Sequence, residues 1–249
     1  MNEHSLSLPP HNADRVLPWQ SAMCRLFSGN EHQFHFYLER LLSSVLPAQA
    51  IERKWNIVGS RRFDYFSLGT SLHTLFFYQM LIRMGRYRDV LELGTFIGVS
   101  TLFLAEAVGD KGSVVSVESG KEFYDLAAAN VQRNGYSPRI DLFNEDAVAF
   151  IVDAAAARKR FDLVLMDAAK QSYGEMLEPA LTCLRPGGLL LVDDVFMEGD
   201  ALNPAPMTDK GRGVCALLDL LKELQGVTSV ILPVGDGLML VWKEARDVG

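Results

Sequence analysis

The chain has 249 residues, 49% hydrophobic and 22% charged, a composition that excludes extensive disorder and suits one α/β domain with a substantial core. Its formal net charge of −7 repels phosphate backbones and disfavours nucleic acid as a partner. Cys24, Cys183 and Cys215 form no CxxC pair and cannot all pair, the opening MNEHSLSLPPHNADR lacks a basic-then-apolar signal, and no apolar run reaches the roughly 20 residues of a membrane span, so a reducing cytoplasmic setting is expected.

Residues 1–18 are polar and carry Pro9, Pro10 and Pro18, which predicts a loose arm. Helices are predicted over 19–27 and 32–46, the second with Phe36, Leu38, Leu41, Leu42 and Val45 on one face. Residues 68–84 read as a further helix stopped by Gly85. Two basic groups, Arg61 with Arg62 and Arg83 with Arg86 and Arg88, read as solvated charges flanking a helix. From 89 onward strands and helices alternate. Strands are predicted over 89–93, 113–118, 140–143, 161–167 and 189–194, with helices over 98–108, 121–134, 146–157 and 173–184. The last of these is stopped by Pro186, Gly187 and Gly188. Apolar runs such as VLMD and LLLVDD suit strands covered on both faces.

The tail departs from this rhythm. An amphipathic helix over 212–224 precedes strands over 229–232 and 238–242, joined by a turn-rich stretch that reads as a hairpin. The expected fold is α/β: a doubly wound, mostly parallel seven-stranded Rossmann-like sheet ending in an antiparallel hairpin, with added N-terminal helices. Residues 1–66 are expected to form a cap or dimer contact and 67–249 the main domain.

Such sheets bind ligands beyond the carboxyl ends of their strands. The first strand runs into Glu92, Leu93, Gly94, Thr95, Phe96, Ile97 and Gly98. Gly94 and Gly98 permit a tight turn and a close backbone approach. Phe96 occupies the middle position of a GxGxxG pattern, so a pyrophosphate cradle is poorly supported. Glu118 ends the second strand, where a carboxylate can accept both ribose hydroxyls. Asp146, after the third, either accepts from an adenine amino group or caps the next helix.

Asp167 ends the fourth strand, and Asp193 and Asp194 end the fifth. Neighbouring strands would set these carboxylates side by side, where mutual repulsion calls for a cation or a proton. Oxygen-only ligands suit a hard divalent ion, Mg²⁺ first, with Mn²⁺ or Ca²⁺ as alternatives. The same aspartates can instead cap loops, as strand-end aspartates often do. Lys170, three residues after Asp167, is either a solvated loop lysine or a proton acceptor beside the cleft.

The segments LELGTFIGVSTLFLA, VVSVES, NEDA, FDLVLMDAAKQSY, LRPGGLLLVDDV and LPVGDGLMLVWK together resemble the metal-dependent O-methyltransferases of the catechol and caffeoyl-CoA type, over roughly residues 67–243. That resemblance implies S-adenosylmethionine held by Glu92, Gly94, Thr95, Gly98, Ser100, Glu118, Asp146, Ala147 and Asp167. It implies a divalent metal on Asp167, Asp193 and Asp194, and a catalytic Lys170. Two departures stand out: Gly120, where relatives often carry an acid, and Asp194, where they usually carry asparagine. The implied acceptor is a small molecule with vicinal oxygens, and the implied assembly a homodimer. Phe63, Tyr65, Phe66, Phe196 and Met197, the loop over 196–212 and the surroundings of Tyr173 are candidates for the acceptor pocket. The rival readings are a methyltransferase acting on a hydroxylated tRNA uridine and a non-methylating protein that binds S-adenosylmethionine.

Overall fold

The computed structural model describes residues 55–59 and 69–245. The predicted arm, the two helices before residue 55, Arg61, Arg62, Phe63, Tyr65, Phe66 and Cys24 lie outside that range. Among the described residues seven strands form one sheet in the order β3-β2-β1-β4-β5-β7-β6. They are β1 (Asp89–Leu93), β2 (Ser113–Val117), β3 (Ile140–Phe143), β4 (Phe161–Met166), β5 (Leu184–Val192), β6 (Val227–Leu232) and β7 (Leu238–Lys243). The first five pair in parallel. β7 runs antiparallel to both β5 and β6, which gives the expected hairpin ending.

Helices α1 (Leu72–Gly85), α2 (Val99–Val108) and α3 (Lys121–Arg133) cover one face of the sheet, while α4 (Ala147–Ala156), α5 (Tyr173–Cys183) and α6 (Asp209–Glu223) cover the other. β1 and β4 explain their apolar runs: Val90, Leu91, Leu93, Leu163, Val164, Leu165 and Met166 are all buried, split between the two cores. Trp55 sits in the α1–α3 core, 5.2 Å from the Tyr136 ring. No described helix is long and apolar enough to cross a membrane.

The chain runs outward from β1 to β3 and then returns to place β4 on the other flank of β1. That reversal opens a crevice at the carboxyl ends of β1 and β4, the usual ligand site of such sheets.

Three local expectations are corrected. Gly85 is the last residue of α1, and the left-handed cap falls on Arg86, at φ 55°. A Cβ at Gly85 would lie 2.5 Å from the Tyr87 ring, so packing explains this glycine. Pro186, Gly187 and Gly188 do not separate helix from strand. α5 passes directly into β5, and these residues lie beside a register shift between Phe161 and Leu163 on β4. The expected loop over 196–212 is shorter and ordered, with a 3-10 segment at Met197–Leu202 and α6 starting at Asp209 behind the Thr208 cap.

Candidate active site

Ladder hydrogen bonding continues one residue past the strands. Gly94 N–H donates to Val117 O (2.9 Å), Glu118 N–H to Phe143 O (2.9 Å), Asp167 N–H to Leu93 O (2.8 Å) and Asp193 N–H to Met166 O (3.0 Å). Four of the expected site residues are therefore fixed in a row, Glu118, Gly94, Asp167 and Asp193, by the pairing of the sheet itself. Gly94 is the joint of that row. Its φ is +106°, and a Cβ there would lie 2.3 Å from Asp167 O. Both conformation and space demand glycine.

On the β1–β3 side the polar groups are paired with neutral donors. Glu118 accepts Phe96 N–H on Oε2 (2.8 Å) and Gly120 N–H on Oε1 (2.7 Å). Phe96, at φ 50°, directs its amide to this carboxylate, and its ring packs 4.8 Å from that of Phe123. An amide so used cannot cradle a phosphate. Each Glu118 oxygen keeps acceptor capacity, which suits a ribose diol. At Gly120 a Cβ would fall 2.8 Å from the Phe123 ring, a local reason for the glycine where relatives often carry an acid.

Glu92 is fully buried beneath the glycine loop. Its Oε2 accepts Thr101 Oγ1–H and Ser116 Oγ–H, each at 2.5 Å. Thr95 Oγ1 lies 2.5 Å from Ser116 Oγ, so the Thr95 side chain joins this buried network. Burial pushes the Glu92 carboxyl up to about 7, against the opposing influence of Ser100, Ser116 and Thr101. Ser100 helps to stabilise the Glu92 charge, and the buried Glu92 Oε1 has no hydrogen bond of good geometry, which leaves acceptor capacity that fits the ammonium group of a methionine moiety. Gly98 caps α2 and packs on Ala127, where its Cβ would meet that side chain at 3.2 Å. Asp146 caps α4: Oδ1 accepts from Val148 N–H and Ala149 N–H, each at 3.0 Å. The capping half of its two readings is thus present. Ala147 opens the helix behind it.

The β4–β5 side is different in kind. Lys170 Nζ lies 2.6 Å from Asp167 Oδ1 and 3.2 Å from Asp194 Oδ2. Thr70 Oγ1–H donates to Asp167 Oδ2 at 3.3 Å, and Tyr78 O–H donates to Asp193 Oδ2 at 2.8 Å. Asp193 Oδ1 accepts Asp194 N–H (3.0 Å). Asp167 and Asp194 thus share one ammonium, with Asp193 beside them. Burial, then Asp167 and Asp194, push Asp193 up to about 8. Burial also raises Asp167, although Lys170 opposes it. For Lys170, burial alone would lower the pKa, but the Asp167 carboxylate and its neighbours win, and the ammonium is held well above its ordinary range. The lowered pKa expected of a proton acceptor is therefore absent from this arrangement, because the carboxylates that position the lysine also stabilise its charge.

Among the described residues no group of three or more acidic, histidine or cysteine side chains forms a ready metal cage. Lys170 sits between Asp167 and Asp194, and Tyr78 engages Asp193. The donor chemistry still fits a hard cation. It is oxygen-only, and it crowds acidic side chains whose ionised forms a divalent ion would stabilise.

Sequence reading did not single out Thr70 or Tyr78. Both precede β1, and only the placement of α1 brings them to the carboxylates. Tyr173, expected near the acceptor, is fully buried. Its hydroxyl donates to Met166 O (3.2 Å) and Asp193 O (3.0 Å) and so ties the two strand ends together. Phe196 and Met197 are part-buried against the core. The β6–β7 turn holds their segment, through Val195 N–H to Gly237 O (2.9 Å) and Phe196 N–H to Asp236 O (2.8 Å). The Lys170–Ser172 turn is braced by α6. A Cβ at Gly213 would lie 2.3 Å from Lys170 O, so helix and turn meet backbone to backbone. A cleft of about 770 Å³, lined by Gln171, Thr208, Asp209, Lys210, Arg212, Gly213 and Ala216, opens beside this turn.

The sheet order, the single reversed strand and the acidic strand ends around a glycine loop define a Rossmann-like methyltransferase fold. A structure that superposes on it, the O-methyltransferase TomG from Streptomyces achromogenes in complex with SAM, gives a TM-score of 0.70 at 26% identity over 84% of this chain and 96% of that one. The chain belongs to the O-methyltransferase family, whose model matches residues 62–244. Tricin synthase 2 from Oryza sativa subsp. japonica is 31% identical over 65% of the chain and 58% of its own length. Caffeoyl-CoA O-methyltransferase 1 from Eucalyptus globulus is 29% identical over 82% of the chain and 86% of its own length. The chain therefore spans less than two thirds of tricin synthase 2.

Proposed function

We propose that the protein transfers a methyl group from S-adenosylmethionine to a hydroxyl of a small molecule bearing vicinal oxygens, assisted by a divalent cation. The observation that carries this reading is the row of ladder-fixed residues across the crevice, acceptors for a nucleoside on one side and carboxylates with a lysine on the other. Glu118 would accept the ribose hydroxyls, Glu92 Oε1 and Ser100 would meet the methionine end, and Asp146 with Ala147 would border the adenine.

On the other side Asp167, Asp193 and Asp194 would hold the cation, which when bound supplies charge that lowers the pKa of a chelating hydroxyl and fixes its direction. Lys170 would take the hydroxyl proton at Nζ once the charges that raise its pKa are offset. A free phenol, with a pKa of about 10, is little ionised at neutral pH, so this half must supply the anionic oxygen. Alignment of donor and acceptor in the crevice would add the gain of an oriented encounter.

The net charge of −7 favours a small acceptor over RNA. The free thiols of Cys183 and Cys215 suit a reducing cytoplasm. The reading includes a homodimer, which light scattering would remove by returning a monomer mass. The test of function is incubation with labelled S-adenosylmethionine, Mg²⁺ and a pooled set of catechols, hydroxycinnamates and cell RNA. Label should appear on a small vicinal diol and vanish in chelator. Label on RNA alone would replace this acceptor class, and no label on any acceptor would overturn the reading.

A further inference from the structure

Asn130 on α3 and Asn134, the residue that caps its end, lie one turn apart. Both side-chain amides grip the extended segment 55–59 as a neighbouring strand would. Asn134 Oδ1 accepts Asn56 N–H (2.9 Å), and its Nδ2 donates to Asn56 O (3.2 Å). Asn130 Oδ1 accepts Val58 N–H (2.7 Å), and its Nδ2 donates to Val58 O (3.0 Å). Residues two apart on an extended chain present the same edge, at a spacing close to one helical turn, so the two amides match that edge. Trp55 anchors the segment beside Phe103 and Tyr136.

Asn130 does one thing more. The same Nδ2 donates to Ile97 O (2.9 Å), inside the glycine loop. Asn130 is fully buried, and its bond to Ile97 O is buried with it, while its bonds to Val58 are part-buried. One turn earlier on α3, Ala127 packs against Gly98. A single side chain thus joins the 55–59 segment to the loop that, in the function proposed above, holds the methyl donor.

We infer that residues 55–59 act as a strap whose seating on Asn130 positions the glycine loop, making Asn130 a positioning residue for methyl-donor binding. With the strap seated, Asn130 is held from both sides and its bond to Ile97 O fixes the loop. With the strap lifted, Asn130 loses two of its partners and is free to turn from Ile97. Any free energy that strap seating lends to donor binding must return as donor-induced seating of the strap. This inference rests on the proposed donor site.

The test uses the full chain and S-adenosylhomocysteine as the probe. Calorimetry gives its affinity for wild type, Trp55→Ala, Asn134→Ala and Asn130→Ala, and hydrogen exchange follows the Asn56 and Val58 amides with and without the probe. Trp55 packs on Phe103 and Tyr136, and the Asn134 side chain bonds Asn56 and Asn130 O, so a purely local strap leaves probe affinity unchanged in both variants. The inference expects each to bind about fivefold to tenfold more weakly, the size of one lost hydrogen bond. It also expects the probe to slow exchange of both amides in wild type by a similar factor. Asn134→Ala, at a part-exposed site, serves if Trp55→Ala fails to fold. Freed strap amides with unchanged affinity, or amides indifferent to the probe, would overturn the coupling. Failure of wild type to bind the probe would instead remove the donor site, and the inference with it.

Discussion

The two sides of the crevice solve the same problem, acidic groups at strand ends, in opposite ways. On the β1–β2 side the acids are answered by neutral dipoles: Glu118 by two backbone amides and Glu92 by hydroxyls. On the β4–β5 side Asp167, Asp193 and Asp194 crowd together, and among the described residues Lys170 is the cation paired with them. The first side is organised to hydrogen-bond a ligand. The second stores unfavourable charge that a bound cation or a proton would relieve. The contrast teaches where each kind of sensitivity should appear: geometry should govern donor binding, and charge should govern turnover.

The largest effect expected is on Lys170. Lys170→Met should lower turnover by roughly 10²–10⁴-fold, the usual contribution of a positioned acid or base, while S-adenosylhomocysteine affinity by calorimetry changes little. A parallel loss of donor binding would break the division between the two sides. Next is the joint between them. Gly94→Ala puts a side chain 2.3 Å from Asp167 O at φ +106°, and should cost about 2–4 kcal/mol of stability in denaturant titration together with donor binding. Little change in either would mean the row of strand ends is not rigid.

Glu92 makes a finer test. Its folded pKa, about 7, lies above the ordinary 4.5. The folded state therefore holds an extra proton between those values, and the Glu92 contribution to stability falls as pH rises from about 4.5 to 7. Glu92→Gln should match wild type near pH 4.5 and become relatively more stable towards pH 8. The gap should reach at most about 3 kcal/mol, read as a widening difference in Tm. A gap that stays constant with pH would show that Glu92 is not a strained buried acid. The smallest effect expected is at the α6 brace. Gly213→Ala should displace the Lys170 turn and lower kcat about tenfold, with KM for the methyl donor unchanged. A rise in that KM with kcat intact would place the brace on the donor side.

Much of this architecture was legible in the sequence, for physical reasons. Parallel strands buried on both faces read as unbroken apolar runs, and Glu118, Asp167 and Asp193 stand out because acids interrupt those runs where strands end. The Asp146 cap is likewise local and was readable as one of two alternatives. What stayed hidden depends on distant packing. Tyr78 looks like any aromatic on an apolar helix face, yet it reaches Asp193 across 115 residues of sequence. Gly85 reads as a helix stop and Gly213 as one more residue of an amphipathic helix, and only the Tyr87 ring and the Lys170 turn show why each is glycine. Asp194 could be flagged as a departure, but its left-handed backbone, φ 57°, and its reach to Lys170 could not. Asparagine, usual there in relatives, also tolerates that conformation, so the aspartate changes the charge without forbidding the turn. The raised pKa of Lys170 is equally invisible along the chain, since it follows from the number of carboxylates around one ammonium.

The most direct measurement compares donor affinity with methyl transfer under the same chelation. S-adenosylhomocysteine binding by calorimetry and label transfer to a catechol are followed in Mg²⁺ and in EDTA. The account predicts that affinity survives EDTA within about twofold, because the donor side relies on hydrogen bonds, whereas transfer collapses and returns when Mg²⁺ is restored. Full transfer in EDTA, or donor binding lost along with it, would contradict the account.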